Sequence, residues 1–184
     1  SKKAGSMTVS HLRFGPDPIE STYLIGEADL VACHQFGLLD RFDVTAAALP
    51  GGTLLLNSPY GPTEVWAHLP SRARRAIIDK GLHVFTVDAA RIAAELKMPG
   101  RINMVMQPCY FALTDILPLD EAIAAISQSI SDTYGRRGHS IVERNQQAVT
   151  RALAELQEVS VPTGHSDAIV DGPGALIASA QHAD

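Results

Sequence analysis

Polar and apolar positions alternate along residues 8–14, TVSHLRF, so an extended segment there carries Val9, His11 and Arg13 on one face and Thr8, Ser10, Leu12 and Phe14 on the other. The following GPDP supplies the turn residues that end it. A first strand is therefore predicted over 8–14. Its polar face has two readings: His11 and Arg13 are solvated residues of a half-exposed strand, or they meet a polyanionic ligand or a partner surface. Downstream, ADLVACHQ (28–35), GGTLLLNSPYG (51–61) and GLHVFTVDA (81–89) are short continuous apolar runs that read as strands buried on both faces. Helical spacing appears between them. EVWAHLPSRARRAIIDK (64–80) sets Val65, Trp66, Leu69, Ala73, Ile77 and Ile78 on one stripe, with Arg72, Arg74 and Arg75 between them and Pro70 dividing the run in two. ARIAAELKM (90–98) is a short helix stopped by Pro99 and Gly100.

This alternation of strand and helix predicts an α/β fold of three layers, a mainly parallel sheet reached by right-handed crossovers with helices on both faces. The pattern then turns all-helical. GRINMVMQPCYFALTDIL (100–117) reads as a helix buried against the sheet and perturbed near Pro108. LDEAIAAISQSISDTY (119–134) has Asp120 as its expected N-cap, Ile123, Ile126 and Ile130 on one stripe and Gly135 as its stop. HSIVERNQQAVTRALAELQEV (139–159) repeats the design with Ile141, Val142, Val149, Leu153 and Leu156. Each of these two helices has one apolar face, which closes the sheet or docks on a neighbouring domain.

Composition narrows the function classes. The 184 residues suit one compact domain with a real core, and a net charge of -5 without a long basic run argues against a nucleic-acid partner. No apolar run approaches the roughly 20 residues of a membrane span, and SKKAGSMT lacks the apolar segment of a signal peptide, so a cytoplasmic protein without a membrane partner is expected. Cys33 and Cys109 are too few for an all-cysteine iron–sulfur cluster and form no CxxC pair. The chain opens on Ser1 and runs out, from about residue 162 to 184, in small residues with Pro and Gly that read as a linker. A piece of a larger polypeptide is expected.

In a parallel sheet, ligands bind outside the carboxyl ends of the strands, and that rule nominates His34, Gln35, Asn57, Ser58 and Asp88. Plainer roles compete: a turn for Asn57 and Ser58 before Pro59, a helix cap for Asp88. His34 beside Cys33 has no second ligand at zinc spacing, so no metal site is expected. HExxH, GxSxG, a Walker loop and paired carboxylates are absent, and so is GxGxxG, which disfavours a nicotinamide-dependent dehydrogenase. Anion chemistry falls to Lys2 and Lys3, adjacent donors before the first strand, and to Arg101 and Asn103 at the expected start of a buried helix. A solvated tail is the competing reading for the lysines.

SKKAGSMTVSHLRFGPDPIESTYLIGEADLVACHQ resembles the third domain of pyruvate:ferredoxin (flavodoxin) oxidoreductases, the part matching the gamma subunit of multi-subunit 2-oxoacid:ferredoxin oxidoreductases. The likeness continues through GGTLLLNSPYGPTEVWAHLP, GRINMVMQPCYFAL, LDEAIAAI and TYGRRGHSIVERN to about Val161, so residues 1–161 are expected to form the domain. The resemblance implies a three-layer domain lacking its first, glycine-rich strand-loop-helix unit, and most of a coenzyme A site. Ser1, Lys2 and Lys3 match the family's SKKS stretch, with Ala4 in place of its second serine. It also implies thiamine pyrophosphate, Mg and [4Fe–4S] clusters on other domains of a homodimeric enzyme, and ferredoxin or flavodoxin as electron acceptor. The piece alone is then inactive. Arg101 and Asn103 are expected beside Asn57 and Ser58, closing around the pantetheine amides, and His11 with Arg13 is expected at an internal interface in preference to coenzyme A. A scaffold domain that only joins its neighbours is the alternative.

Overall fold

The computed structural model describes residues 8–15, 18–19, 24–135 and 138–162. Strands β1 (Ala28–Cys33), β2 (Ala48–Asn57) and β3 (His83–Val87) are parallel, and a short β4 (Gln157–Glu158) adds antiparallel to β3, giving the order β1-β2-β3-β4. Leu54, Leu55 and Leu56 on β2 have no exposed surface, and their alternation separates two cores. Leu54 and Leu56 join Cys33, Val84 and Leu39 of α1 (Leu38–Arg41) against Val65 of α2 (Val65–His68) and Ile77 of α3 (Ser71–Lys80). Leu55 and Val87 face Ile92 of α4 (Ala89–Glu95), Val105, Met106 and Cys109 of α5 (Asn103–Ala112), and Ala148 and Ala152 of α7 (His139–Glu155). Helix α6 (Leu119–Tyr134) adds Ile126 and Ile130 against Val149 of α7. The α/β sandwich read from the pattern is thus present, and Pro70 divides α2 from α3 as expected.

The basic residues of α3 hold the β1–β2 connection. Lys80 Nζ donates to the carbonyls of Thr45, Ala46 and Ala48 at 2.9, 3.0 and 2.8 Å, and Arg72 Nη2 donates to those of Leu39 and Phe42 at 2.6 and 3.1 Å. Charged donors on carbonyls left open by a short helix and a turn are among the stronger hydrogen bonds a loop can obtain.

Several local expectations are corrected. Residues 8–15 form no strand: a strand exists through its ladder, and this segment pairs with none of the sheet strands. Strand β1 is mostly half-buried because it is the outermost strand. Pro118, not Asp120, precedes the first turn of α6; Asp120 and Glu121 sit inside that turn, where their charge still suits the helix dipole. Gly135 at the end of α6 keeps a right-handed conformation, and Gly138, with φ 121°, makes the reversal into α7. The buried face of α7 is Asn145, Ala148, Val149 and Ala152, whereas Ile141, Val142, Leu153 and Leu156 are only partly covered. Small residues let α7 approach α5 closely enough for Cys109 Sγ to reach the Ala152 carbonyl at 3.6 Å.

Strand β2 also begins earlier than its apolar run. Ala28 pairs with Ala48 but Leu30 with Thr53, so β2 carries extra residues across a bulge. Gly51 has φ 74°, and a Cβ on Gly52 would lie 2.9 Å from the carbonyl oxygens of both Asp29 and Leu49. Backbone atoms cannot step aside as a flexible side chain does. Gly52→Ala is expected to lower stability by about 1–3 kcal/mol, while Gly61→Ala, whose Cβ meets nothing within 4 Å, is neutral or slightly stabilising. Urea denaturation of the two variants checks the contrast.

Candidate functional site

The carboxyl ends of the parallel strands come together around one side chain. Asn57, at the end of β2 and 8% exposed, donates from Nδ2 to the His34 carbonyl at 2.8 Å and accepts at Oδ1 from the Ala89 amide at 3.0 Å. It thereby ties the loop after β1 to the first residue of α4. Ser58 is buried beside it; its amide donates to the Val87 carbonyl at 3.1 Å, and its hydroxyl both accepts from the Tyr60 amide and donates to the Tyr60 carbonyl. Asp88 caps α4, accepting from the Arg91 amide at 2.9 Å. The residues nominated by the strand-end rule are therefore gathered as expected, but the hydrogen bonds of Asn57, Ser58 and Asp88 run within the fold. His34 and Gln35 remain exposed at the rim.

An aromatic group at this end was missed by the sequence reading. The Tyr60 ring stacks on His68 at 3.6 Å and 4°, and Phe36 meets Tyr60 edge-on at 5.4 Å. Tyr60 carries a signal, being in the SPYG loop next to Asn57 and Ser58; His68 carries none, because the turn at Gly61, whose carbonyl accepts from the Glu64 and Val65 amides, lies between that loop and α2. Cys33, next to the loop, is a buried thiol that donates to the Gln35 carbonyl at 3.2 Å, and burial raises its pKa against a smaller opposing contribution from the Gln35 backbone.

The presumed anion residues lie elsewhere. Arg101 is reached through the far end of α4: Met98 donates to the Ala93 carbonyl and Arg101 to that of Met98. Arg101 and Asn103 follow the far end of α4, about 10 Å of helix beyond the Ala89 amide that Asn57 binds. Arg101 Nη1 donates to Tyr134 Oη at 2.5 Å, and its guanidinium stands 5.3 Å from the centre of that ring. Asn103 is exposed as the first residue of α5, so the expected helix start is correct. Ser1, Lys2 and Lys3 lie outside the described residues, as do 163–184 of the expected linker.

His11 and Arg13 sit on the non-strand segment. His11 is exposed and its Nδ1 accepts from the Ile25 amide at 3.2 Å, while Arg13 is half-buried and has a partner. Phe14 in the same segment lies 6.3 Å from the Tyr110 ring of α5. The Tyr110 hydroxyl is raised by burial and, less strongly, by the charge of Asp29 on β1. The segment therefore lies by α5 and β1. At the other edge of the sheet, a shallow groove of about 410 Å³ runs between Leu82–Val84 and Glu158–Val161, away from all of these residues.

Charge is concentrated where α4 meets α7. Arg91 bonds Glu155 and, at 3.2 Å, Glu95; Arg151 bonds Glu95 and Glu155, each at 2.7 Å. Hydrogen bonds from Arg151 and then Arg91 hold the Glu95 carboxyl below its ordinary range. Burial pushes Glu155 up, but the same two arginines together outweigh it and leave it lowered.

Residues 1–155 match the model of the family described as pyruvate ferredoxin/flavodoxin oxidoreductase. A pyruvate-flavodoxin oxidoreductase of Nostoc sp. is 48% identical over 176 residues, covering 96% of this chain and 15% of the relative. That of Rhodospirillum rubrum is 48% identical over 169 residues, covering 90% and 14%. The chain thus spans about one seventh of the length of these relatives. The crystal structure of the pyruvate oxidoreductase subunit PORC from Thermotoga maritima superposes with a TM-score of 0.56 at 19% identity, over 74% of this chain and 67% of that one, and shares the fold.

Asn57→Ala removes both ends of the tie and leaves the buried Ala89 amide unpaired and the part-buried His34 carbonyl without its donor, at an expected cost of about 1–3 kcal/mol; thermal and urea midpoints test it. The four-residue clamp should make stability acid-sensitive. Glu95 and Glu155 have lowered folded pKa values, so their contribution is present above the ordinary glutamate range and is lost as pH falls through the folded values. A double Glu95→Gln, Glu155→Gln variant is expected to show a flatter loss of stability on acidification than the parent, read from urea midpoints across the acid range.

Proposed function

The chain belongs to the pyruvate ferredoxin/flavodoxin oxidoreductase family, and from that premise we propose that it is the coenzyme A-binding domain of an enzyme that oxidatively decarboxylates pyruvate to acetyl-coenzyme A and passes the electrons to ferredoxin or flavodoxin. The match across residues 1–155 carries this reading, because it includes both groups of anion candidates, Lys2 with Lys3 and Arg101 with Asn103.

The ligand's chemistry sets the requirement. Coenzyme A bears a 3'-phosphate and a pyrophosphate at its adenosine end, so more than one cationic or amide contact is needed. Arg101 is exposed and steadied by Tyr134 on its ring face and hydroxyl, and Asn103 opens α5 on the exposed side, so both fit a phosphate-facing role. Ser1, Lys2 and Lys3 would complete the anion contacts. Asn57 and Ser58 act indirectly here: they shape the floor over which the pantetheine would pass.

Thiamine pyrophosphate, its Mg and the [4Fe–4S] clusters are assigned to other parts of the same polypeptide. The donor set of this chain does not suit a cluster, since it has two cysteines, Cys33 is buried and burial pushes the Cys109 thiol up to about 12. The intact enzyme would work as a homodimer in the cytoplasm; among the described residues no helix is long and apolar enough to cross a membrane. A scaffold domain is the competing reading. It is favoured by the inward hydrogen bonding of Asn57, Ser58 and Asp88.

Coenzyme A titration of the full-length polypeptide separates the two. Lys2→Ala, Lys3→Ala and Arg101→Ala are each expected to weaken coenzyme A binding by roughly ten- to a hundredfold, the value of one charge-assisted phosphate contact, while pyruvate-dependent one-electron reduction of a viologen persists. Dissociation constants within about twofold of the parent in all three variants would assign the domain to scaffolding.

A further inference from the structure

Two polar side chains are enclosed between α3 and the sheet without a full set of partners. Arg74, in the first turn of α3, is 8% exposed, and its Nε has no hydrogen-bond partner among the described residues. Its Nη2 reaches the Ser71 hydroxyl at 3.4 Å, a long bond that turns the guanidinium back towards the first residue of the helix. Arg72 and Lys80 on the same helix are bonded to carbonyls, but none of the ion pairs among the described residues gives Arg74 an acid. Thr86, near the end of β3, is 2% exposed, and its hydroxyl has no partner among the described residues either.

The topology sets these two groups at one level. Val84 of β3 and Ile77 of α3 belong to the same core, and alternation along β3 puts Thr86 on the face of Val84 while Phe85 and Val87 meet the other core. Helix α3 leads from the end of β2 back to the start of the parallel β3, so it runs against both strands. Going from Ile77 to Arg74 is therefore a step of about 4.5 Å towards the carboxyl ends of the strands, and going from Val84 to Thr86 is a step of about 6.6 Å the same way. Arg72 leaves α3 on the side of the β1–β2 connection, and Arg74, about 200° further round, leaves it on the side of β3. The first turn of α3 contains no acid and receives no side-chain cap, so its amides add to the positive potential there. An enclosed guanidinium without a counter-charge is costly, and what this place lacks is a negative charge.

We propose that the first turn of α3 and the end of β3 form a site for a small oxyanion of the phosphate class, held by the Nε and Nη2 edge of Arg74, the Thr86 hydroxyl and the first amides of α3. A guanidinium edge matches two oxygens of such an anion, and a threonine hydroxyl can donate to a third. Water in the same place would satisfy the hydrogen bonds and leave the charge of Arg74 uncompensated. The ligand is small because both side chains are more than nine-tenths buried. Arg101 and Asn103 lead into α5, which packs on the opposite face of the sheet, so this site is separate from the contacts proposed for coenzyme A and stands without them.

Equilibrium dialysis of radiolabelled inorganic phosphate against the full-length polypeptide, with coenzyme A and thiamine pyrophosphate present in excess, tests the site. The parent is expected to bind phosphate, and Arg74→Met to bind it at least about tenfold more weakly. Replacing a buried charge by an apolar side chain of similar volume is commonly neutral for folding. Thr86→Val, which keeps the shape and removes the hydroxyl, is a second and milder variant, expected to bind about three- to tenfold more weakly. Arg75→Met, at the exposed neighbouring position, is expected to stay within about twofold of the parent. Equal losses in Arg74→Met and Arg75→Met would show diffuse surface attraction and overturn the proposal. Unchanged binding in both Arg74→Met and Thr86→Val would overturn it too. So would a parent that binds no phosphate, the result expected where water or a carboxylate from elsewhere in the polypeptide fills the position.

Discussion

A single buried amide sets the geometry of the strand ends. Parallel strands with helical crossovers meet only through their loops at the carboxyl ends, and nothing in the ladder itself fixes how those loops sit. Asn57 supplies the missing constraint by spending one donor on the His34 carbonyl and its acceptor on the Ala89 amide. A carboxylate has no donor for the first, and an ammonium no acceptor for the second. The asparagine therefore specifies three elements at once: the exit of β1, the end of β2 and the start of α4.

Once that tie is in place, the surrounding polar groups follow. Asp88 can cap α4 because Ala89 is already held, and Ser58 can fold its loop back on Tyr60, which brings the phenol ring against His68. Arg91, in the first turn of α4, then reaches Glu155 at the end of α7, and the clamp closes the helical layer over the sheet. Each group is satisfied locally. The result is a floor on which Asn57, Ser58 and Asp88 are already engaged.

The sandwich and its main helices were legible because their signal is periodicity over many residues: three leucines in succession on β2, a stripe on α3, a proline between α2 and α3. Apart from the ends of α6, where Pro118 and Gly138 rather than Asp120 and Gly135 set the boundaries, the failures share a dependence on partners remote in sequence. Residues 8–14 alternate as a strand should, yet a strand needs a neighbour, and β4 formed without any pattern because β3 offered it an edge. Bulk predicts Val149 on the buried face of α7, whereas close packing on α5 selects Ala148 and Ala152 in place of Leu153 and Leu156. At the site, the strand-end rule found Asn57, Ser58 and Asp88 but could not tell inward from outward hydrogen bonding. It had no access to Tyr60 on His68, a contact made by tertiary folding.

The distribution of satisfied and unsatisfied groups across the molecule points the same way. At the carboxyl ends, Asn57, Ser58 and Asp88 are paired while the buried Thr86 hydroxyl has no partner among the described residues; before β1, the described Val9, Leu12, Phe14 and Leu24 are exposed. Exposing Leu12 and Leu24 forgoes hydrophobic stabilisation of about 1.5–3 kcal/mol for each side chain that full burial would recover. A domain that had to stand alone would be under pressure to bury or replace them, and to place a lysine or proline on β1. A domain built into a longer chain is free of that pressure wherever a neighbour covers such side chains.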